Sequence, residues 1–297
     1  MIKLQPNNEA VKFHYDEVSR TLNSTSIKRN NTEVKLNENF LIFLNTYKED
    51  LISGLPSRLL ELHREYLQLE ISEDDRSVIK DFFINTGYKN FKNKVFLEKL
   101  GFNTCAYCNR NYTLQIVDDR ARAQLDHWFP KETFYILALS LYNLIPSCPS
   151  CNHIKLNNAP DDGWENALNN LNHPYLECNN FKFSYEYRSL EDFNLKIDVE
   201  KDSKTDNTLK FNRIEEIYNA HSNLELKDLV HLRSKYSDTF LNIVKDSFGG
   251  IMSKEEAYRI IFGVEEKAEN FHKRPFSKFK TDIIDELLND NKNKFET

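Results

Sequence analysis

Cys105-Ala106-Tyr107-Cys108, then Leu125-Asp126-His127-Trp128-Phe129-Pro130-Lys131, then Cys148-Pro149-Ser150-Cys151: these three segments, met in this order, decide how the rest of the chain is read. Two Cys-x-x-Cys knuckles joined by a loop long enough to fold back can bring four thiolates to tetrahedral geometry around one zinc ion. Four protein ligands leave no position open to water. A zinc held this way is structural, and it substitutes for the apolar core that a small module lacks. The plainer alternative is two unrelated buried pairs. Five cysteines make an odd number for a disulfide framework, and the fifth, Cys178, reads as an ordinary reduced thiol.

Outward from the knuckles the texture changes on both sides. Between Gly101 and Asn158 an alternating stretch, Tyr112 to Val117, a turn at Asp118 and Asp119 and a second stretch, Ala121 to His127, predict a small β-hairpin. Pro146 and Pro149 punctuate the second cysteine pair, and Ser150 to Leu156 reads as a short helix. Before about residue 100 the apolar spacing is helical, in Phe40 to Leu51, Leu59 to Leu67 and Val78 to Phe83. Ser72 with Asp74 and Asp75 looks like a capped helix start. This region reads as a scaffold or docking surface without chemistry of its own. After Pro160 come an Asp-Asp-Gly turn and an Asn-rich connector, a hairpin expected over Lys182 to Tyr187 and Asn194 to Val199, and helical spacing in Ile214 to Tyr218, Leu224 to Val244, Glu255 to Phe262 and Phe279 to Leu288. The expected fold class is α+β: a zinc-stabilised module over 101–158, a helical region over 1–100, and a connector, hairpin and helical region over 159–297.

Composition narrows the function. With 297 residues, 40% of them hydrophobic, the chain can bury a sizeable core. A formal net charge of -6 argues against coating nucleic acid by bulk electrostatics, because phosphate binding relies on Lys and Arg displacing counterions. Any such contact is local or supplied by a partner. Met1 to Ala10 does not read as a secretory start. The most apolar run, Phe134 to Ile145, is broken by Ser140, Tyr142 and Asn143 and is shorter than the roughly 20 residues of a membrane span. The expectation is a cytoplasmic chain without a membrane segment.

The pair Asp126-His127 is where chemistry is expected. Neighbours on a strand point to opposite faces, so the two can share a site only if the strand end bends, which Pro130 makes plausible. A divalent cation on Asp126 would then sit near a water that a neutral His127 can deprotonate. A hydrogen-bonded structural histidine accounts for the pair equally well.

The following segment, Tyr142-Asn143-Leu144-Ile145-Pro146-Ser147, the second knuckle, and Asn152-His153-Ile154-Lys155 extend the pattern. Taken together, Cys-x-x-Cys, Leu-Asp-His-x-x-Pro and Asn-Leu-x-x-x-Cys-x-x-Cys-Asn-x-x-Lys resemble the zinc-containing HNH (ββα-metal) endonucleases, over residues 101–158 and so about a fifth of the chain. The resemblance implies that His127 is the general base, that Asp126 binds a divalent metal, and that Asn143 holds the histidine loop by hydrogen bonds. The position after the last cysteine carries Asn152 where the family name has histidine. This resembles the HNN variants, in which the asparagine is a ligand, and the implied Asp plus Asn set suits Mg²⁺ or Mn²⁺. His153 is the alternative ligand if the helix is turned by one residue. Lys131 and Lys155 are candidate phosphate contacts, each also readable as a solvated lysine. The products implied are a 5′ phosphate and a 3′ hydroxyl.

The whole layout is similar to that of HNH nucleases of bacterial antiphage systems, the Septu type and retron-linked relatives, which act beside an ATPase of the ABC or SMC-like class. DNA is the expected substrate; a ribonuclease or toxin acting on RNA, and a non-catalytic zinc-stabilised binding module, are the alternatives. The basic stretch His272 to Lys280, interleaved with Phe276 and Phe279, reads as a nucleic-acid grip or, preferably, as a helix start with its aromatics in the core.

Overall fold

In the computed structural model, which describes residues 2–114, 124–156, 158–189, 192–235 and 252–295 together with 243, 246 and 247, the chain forms two compact units. One comprises residues 4–102 and 114–169, the other residues 1–3, 103–113 and 170–297. The architecture is α+β, with helices and, among the described residues, three separate two-stranded antiparallel sheets. No described helix is long and apolar enough to cross a membrane.

In the unit of residues 4–102 and 114–169, α1 (Asn8–Leu22) buries Ala10, His14, Val18 and Leu22, one stripe at four-residue spacing. Asn7 caps it by accepting from the Ala10 N–H at 2.9 Å. A short hairpin follows, β1 (Ser26–Arg29) with β2 (Thr32–Lys35). Its two-residue turn is Asn30-Asn31, both at positive φ (50° and 62°), which asparagine tolerates and which matches strand twist. The sequence offered that signal at Asn30-Asn31, and the apolar periodicity had passed over it. α2 (Glu38–Ser53) and α3 (Pro56–Leu67) contain the expected helical stretches. α4 (Glu73–Asp81) starts at Ser72 with a capping box closed by Asp75, as the sequence suggested.

Beyond α4 the chain does not continue as an α-helix. Phe82–Tyr88 is a π-helix, followed by α5 (Asn93–Leu100), which ends at Gly101 in the left-handed region (φ 73°). Gly87 lies in the π-helix, where a Cβ would come within 2.6 Å of the Leu139 side chain. The wide turn is thus packed against the loop that follows β3.

The central hairpin departs from expectation. β3 (Gln124–His127) pairs with β4 (Leu144–Ser147), with Asp126 opposite Ile145 and His127 opposite Leu144. The described part of the 112–117 stretch shows an isolated bridge between Tyr112 and Thr104; residues 115–123 lie outside the described residues. α6 (Pro149–Lys155) follows β4 directly, with Cys148 as N-cap and Pro149 in its first turn. Two short strands and a helix therefore frame residues 124–155. A four-residue helix, α7 (Ala167–Asn170), comes next in the chain.

In the other unit the predicted hairpin is present as β5 (Phe181–Ser189) and β6 (Asp192–Val199). The Phe183 ring packs 4.4 Å from Tyr218 and 5.4 Å from Phe279. The connected helices α8 (Lys204–Phe211), α9 (Ile214–Asn219) and α10 (Ser222–Lys235) follow, then helices Lys254–Phe262 and Ser277–Phe295. Residues 236–242, in the expected Leu224 to Val244 helix, lie outside the described residues. The basic stretch is largely neutralised internally: Arg274 pairs with Glu265, Lys278 with Asp282 and Lys280 with Glu225, while Phe279 is buried. This favours the packing reading over a nucleic-acid grip.

Two buried histidines of the first-described unit give the fold an acid limit. His14 is held with Nε2 2.8 Å from the Leu139 carbonyl, and burial pushes its pKa down to about 4. His63, against Phe134, is lowered to about 4 by burial and by Arg64, with Glu165 opposing. Both values lie below the ordinary 6.5. The unfolded chain therefore binds these protons first as pH falls, so the stability they contribute is complete above about 6.5 and lost on the way to about 4. Urea unfolding should show a midpoint that is steady above neutrality and falls by the equivalent of roughly 1–2 kcal/mol per histidine by pH 5. A midpoint unchanged between pH 7 and pH 5 would contradict neutral burial.

Candidate functional site

A buried ammonium organises the β3, β4 and α6 segment. Lys155, in the last turn of α6, is 2% exposed, and its Nζ lies 3.1 Å from Asp126 Oδ2 and 2.6 Å from the His127 carbonyl oxygen. It also stands 5.0 Å from the centre of the Trp164 ring. Burial lowers its pKa and the Asp126 carboxylate opposes that shift. Expected among the phosphate contacts, Lys155 is instead committed to β3.

Asp126 and His127, consecutive on β3, nevertheless line the same cavity, of about 470 Å³. Both are nearly buried, at 4% and 6% exposure. His127 Nε2 is 3.1 Å from the Ala138 carbonyl oxygen. A carbonyl can only accept, so the neutral ring carries its proton on Nε2 and presents Nδ1 as a bare lone pair. Burial, then the positive charge of Lys131, and finally Lys155 hold the imidazole pKa down, at about 3, against the opposing bond to Ala138. His127 is therefore neutral through the physiological range.

Asn143 is fully buried and hydrogen-bonded on both ends of its amide. Its Oδ1 accepts from the Phe129 N–H at 2.7 Å, and its Nδ2 donates to the carbonyls of Leu137 at 2.9 Å and Phe129 at 3.2 Å. The backbone adds a bond from Trp128 N–H to the Asn143 carbonyl at 3.0 Å. The loop after the histidine is thus closed onto one side chain.

Asn152 lines the cavity with Asp126, whereas His153 is exposed and does not. The Asn152 Nδ2 donates to Gln124 Oε1 at 2.9 Å, which fixes the amide with its oxygen left as the available donor atom. Lys131 also lines the cavity, its Nζ 5.0 Å from the centre of the Tyr88 ring. A carboxylate and an amide oxygen are donors of the kind Mg²⁺ or Mn²⁺ takes, and the Asp126 carboxylate is at the same time engaged by the Lys155 ammonium at 3.1 Å.

The sequence reading missed several lining residues. Tyr88, at the end of the π-helix, and Asn93, opening α5, come from the region that had seemed free of chemistry. Gln124 was not singled out either, nor was Leu156, which ends α6 at φ 41° and is 53% exposed. An isolated glycine in an otherwise helical pattern, Gly87, was the available signal for the first pair.

Cys105, Cys108, Cys148 and Cys151 are buried, free of disulfides, and have sulfur atoms within 4.8 Å of one another. A zinc–sulfur bond of about 2.3 Å requires sulfurs roughly 3.8 Å apart at a tetrahedron's corners, so this cluster suits zinc with small adjustment. The Arg110 N–H lies 3.3 Å from Cys108 Sγ, a donor that stabilises a thiolate. Asn109, at φ 52°, makes the knuckle's turn, and its buried side chain donates to Thr104 Oγ1 and the Phe271 carbonyl. The fifth cysteine, Cys178, is exposed.

Comparison with known protein families, with curated proteins and with solved structures finds no match to this chain.

Two outcomes follow for stability and metal content. Asn143→Ala leaves the Phe129 N–H and the Leu137 and Phe129 carbonyls without their partner, and should lower unfolding stability by about 3 kcal/mol in urea titrations. Cys148→Ser should lose the bound zinc measured by elemental analysis and lower the melting temperature, whereas Cys178→Ser should do neither. Equal zinc in both variants would overturn the ligand assignment.

Proposed function

We propose that this chain is a metal-dependent endonuclease of the HNH type that hydrolyses phosphodiester bonds in DNA. The observation that carries the reading is the shared cavity: Asp126, His127 and Asn152 line it together, and the Ala138 carbonyl fixes His127 in the tautomer with an unprotonated Nδ1. A divalent cation held by Asp126 and Asn152 would supply Lewis-acid stabilisation of charge on the phosphate and the leaving 3′ oxygen. His127 takes a proton from the attacking water, a step that requires the negative charge of a bound phosphate to raise the imidazole from the low pKa that burial imposes. Asn143 keeps the loop beyond His127 closed, and Lys155 holds the Asp126 carboxylate and the His127 backbone in register. Lys131 provides a positive contact for a phosphate. The products are a 5′ phosphate and a 3′ hydroxyl, as in the enzymes the motifs resemble.

The cysteine cluster carries structural zinc in this reading. Cytoplasmic antiphage defence beside an ATPase of the ABC or SMC-like class is the proposed setting. It is supported by the acidic net charge and by the internal pairing of the most basic stretch, which leave the chain with little general affinity for nucleic acid.

The test is cleavage of plasmid, single-stranded DNA and RNA with Mg²⁺, with Mn²⁺ and with EDTA, by the chain alone and together with an ATPase of the ABC or SMC-like class. DNA cleavage should require the metal and fall by roughly 100-fold or more in His127→Ala. Undiminished cleavage by that variant, or a preference for RNA, would sink the reading. Full activity of the chain alone would count against the partner.

A further inference from the structure

We infer that Tyr88 is a positioning residue of this cavity, its ring fixing the His127 imidazole and supporting the Lys131 ammonium. The inference rests on the nuclease reading for its kinetic consequence and on geometry alone for its structural one. The Tyr88 and His127 ring centroids are 4.4 Å apart at an interplanar angle of 66°, an edge-to-face contact. The Tyr88 hydroxyl donates to the Leu125 carbonyl at 3.0 Å, two residues before His127 on the same strand. The aromatic wall is thereby tied to the strand that bears the imidazole, and Lys131 Nζ rests 5.0 Å from the centre of the same ring.

These contacts complete something the hydrogen bond to Ala138 leaves open. One bond at Nε2 anchors an imidazole at a point, and the ring can still swing about that anchor. An aromatic ring against its side removes the swing and fixes the direction in which the Nδ1 lone pair points. A displacement of about 1 Å in a reacting group can cost on the order of 100-fold in rate, so this orientation has kinetic weight. The Tyr88 hydroxyl acts as a tether throughout: burial first, and then the charge of Asp126, push its pKa up to about 12, so it stays protonated and donating. The π-helix is what delivers the ring. A helical residue advances about 100° around the axis, and widening the turn changes where each later side chain points. Gly87, within that wide turn, leaves the room that the Leu139 side chain occupies.

The test uses the full chain as Tyr88→Leu and Tyr88→Phe, under the conditions in which the parent cleaves DNA, with ¹⁵N-histidine NMR at fixed pH as a second readout. In the parent, His127 should give the ring nitrogen shifts of one tautomer with the proton on Nε2. Tyr88→Leu should lower kcat roughly 10- to 100-fold with KM within about 2-fold, and should move the His127 signals towards a mixture of tautomers or orientations. Tyr88→Phe, which keeps the ring and loses the tether, should lie between that variant and the parent in both readouts. Parent kcat and parent His127 signals in both variants would overturn the inference, as would a loss confined to KM. If Tyr88→Leu does not fold, Tyr88→Phe decides: parent values there overturn it. If the parent shows no cleavage, the nuclease reading fails, and the His127 signals alone still decide whether Tyr88 positions the ring.

Discussion

An ammonium buried beside a carboxylate fixes how α6 lies against β3, and the rest of the candidate site depends on that placement. Two charges withdrawn from water incur a desolvation penalty of several kcal/mol each, which is recovered only when the geometry is good and the remaining donors are satisfied. Lys155 meets that condition through Asp126, the His127 carbonyl and the Trp164 ring. The consequence runs along the helix. Residues three and four apart share a face, so once Lys155 is directed at β3, Asn152 lies on the same side and His153 is turned away. Asn152 accordingly lines the cavity and His153 does not, a placement that follows from a lysine expected to be a phosphate contact or a solvated side chain. Leu156, four residues after Asn152, lines the cavity for the same reason.

The imidazole and the carboxylate reach one cavity despite being neighbours on a strand because the cavity is built around the end of β3. Asn143 draws the chain beyond His127 back on itself, and the Ala138 carbonyl from the same loop meets Nε2. The other wall comes from residues distant in sequence. The π-helix and the start of α5 bring Tyr88 and Asn93 to the cavity, so the helical region before residue 100 contributes directly to the candidate site.

What could be read from the sequence was what a single local rule encodes. The paired knuckles announced the cysteine cluster, Ser72 with Asp75 the start of α4, and alternation the β5–β6 hairpin. What escaped depended on partners far along the chain. The pairing of the strand bearing Asp126 with 144–147 escaped because Pro146 read as punctuation, while residues 115–117 of the expected partner stretch lie outside the described residues. Among the described residues this sheet has two strands, each an edge where proline is tolerated, and Pro146 stands opposite Leu125. Lys155 escaped because burial of lysine needs a carboxylate partner that only the fold supplies. Tyr88 escaped because apolar periodicity assumes 3.6 residues per turn, and the wide turn of residues 82–88 breaks that count.

The electrostatics of the cavity connect its geometry to the acidic character of the chain. Lys155 is neutralised by Asp126, and Glu132, at the cavity's edge, pairs with Lys80 at 2.9 Å. Among the described lining residues, Lys131 is the one cation without an ion pair, and it rests on an aromatic face. Phosphate affinity in duplex DNA grows with the number of phosphates neutralised, each releasing roughly 0.9 counterion. A cavity offering one such lysine can orient a phosphodiester but supplies little affinity for a polymer. Under the proposed nuclease function, such a site would gain its substrate when another surface delivers it, which is why the proposal places an ATPase partner beside this chain.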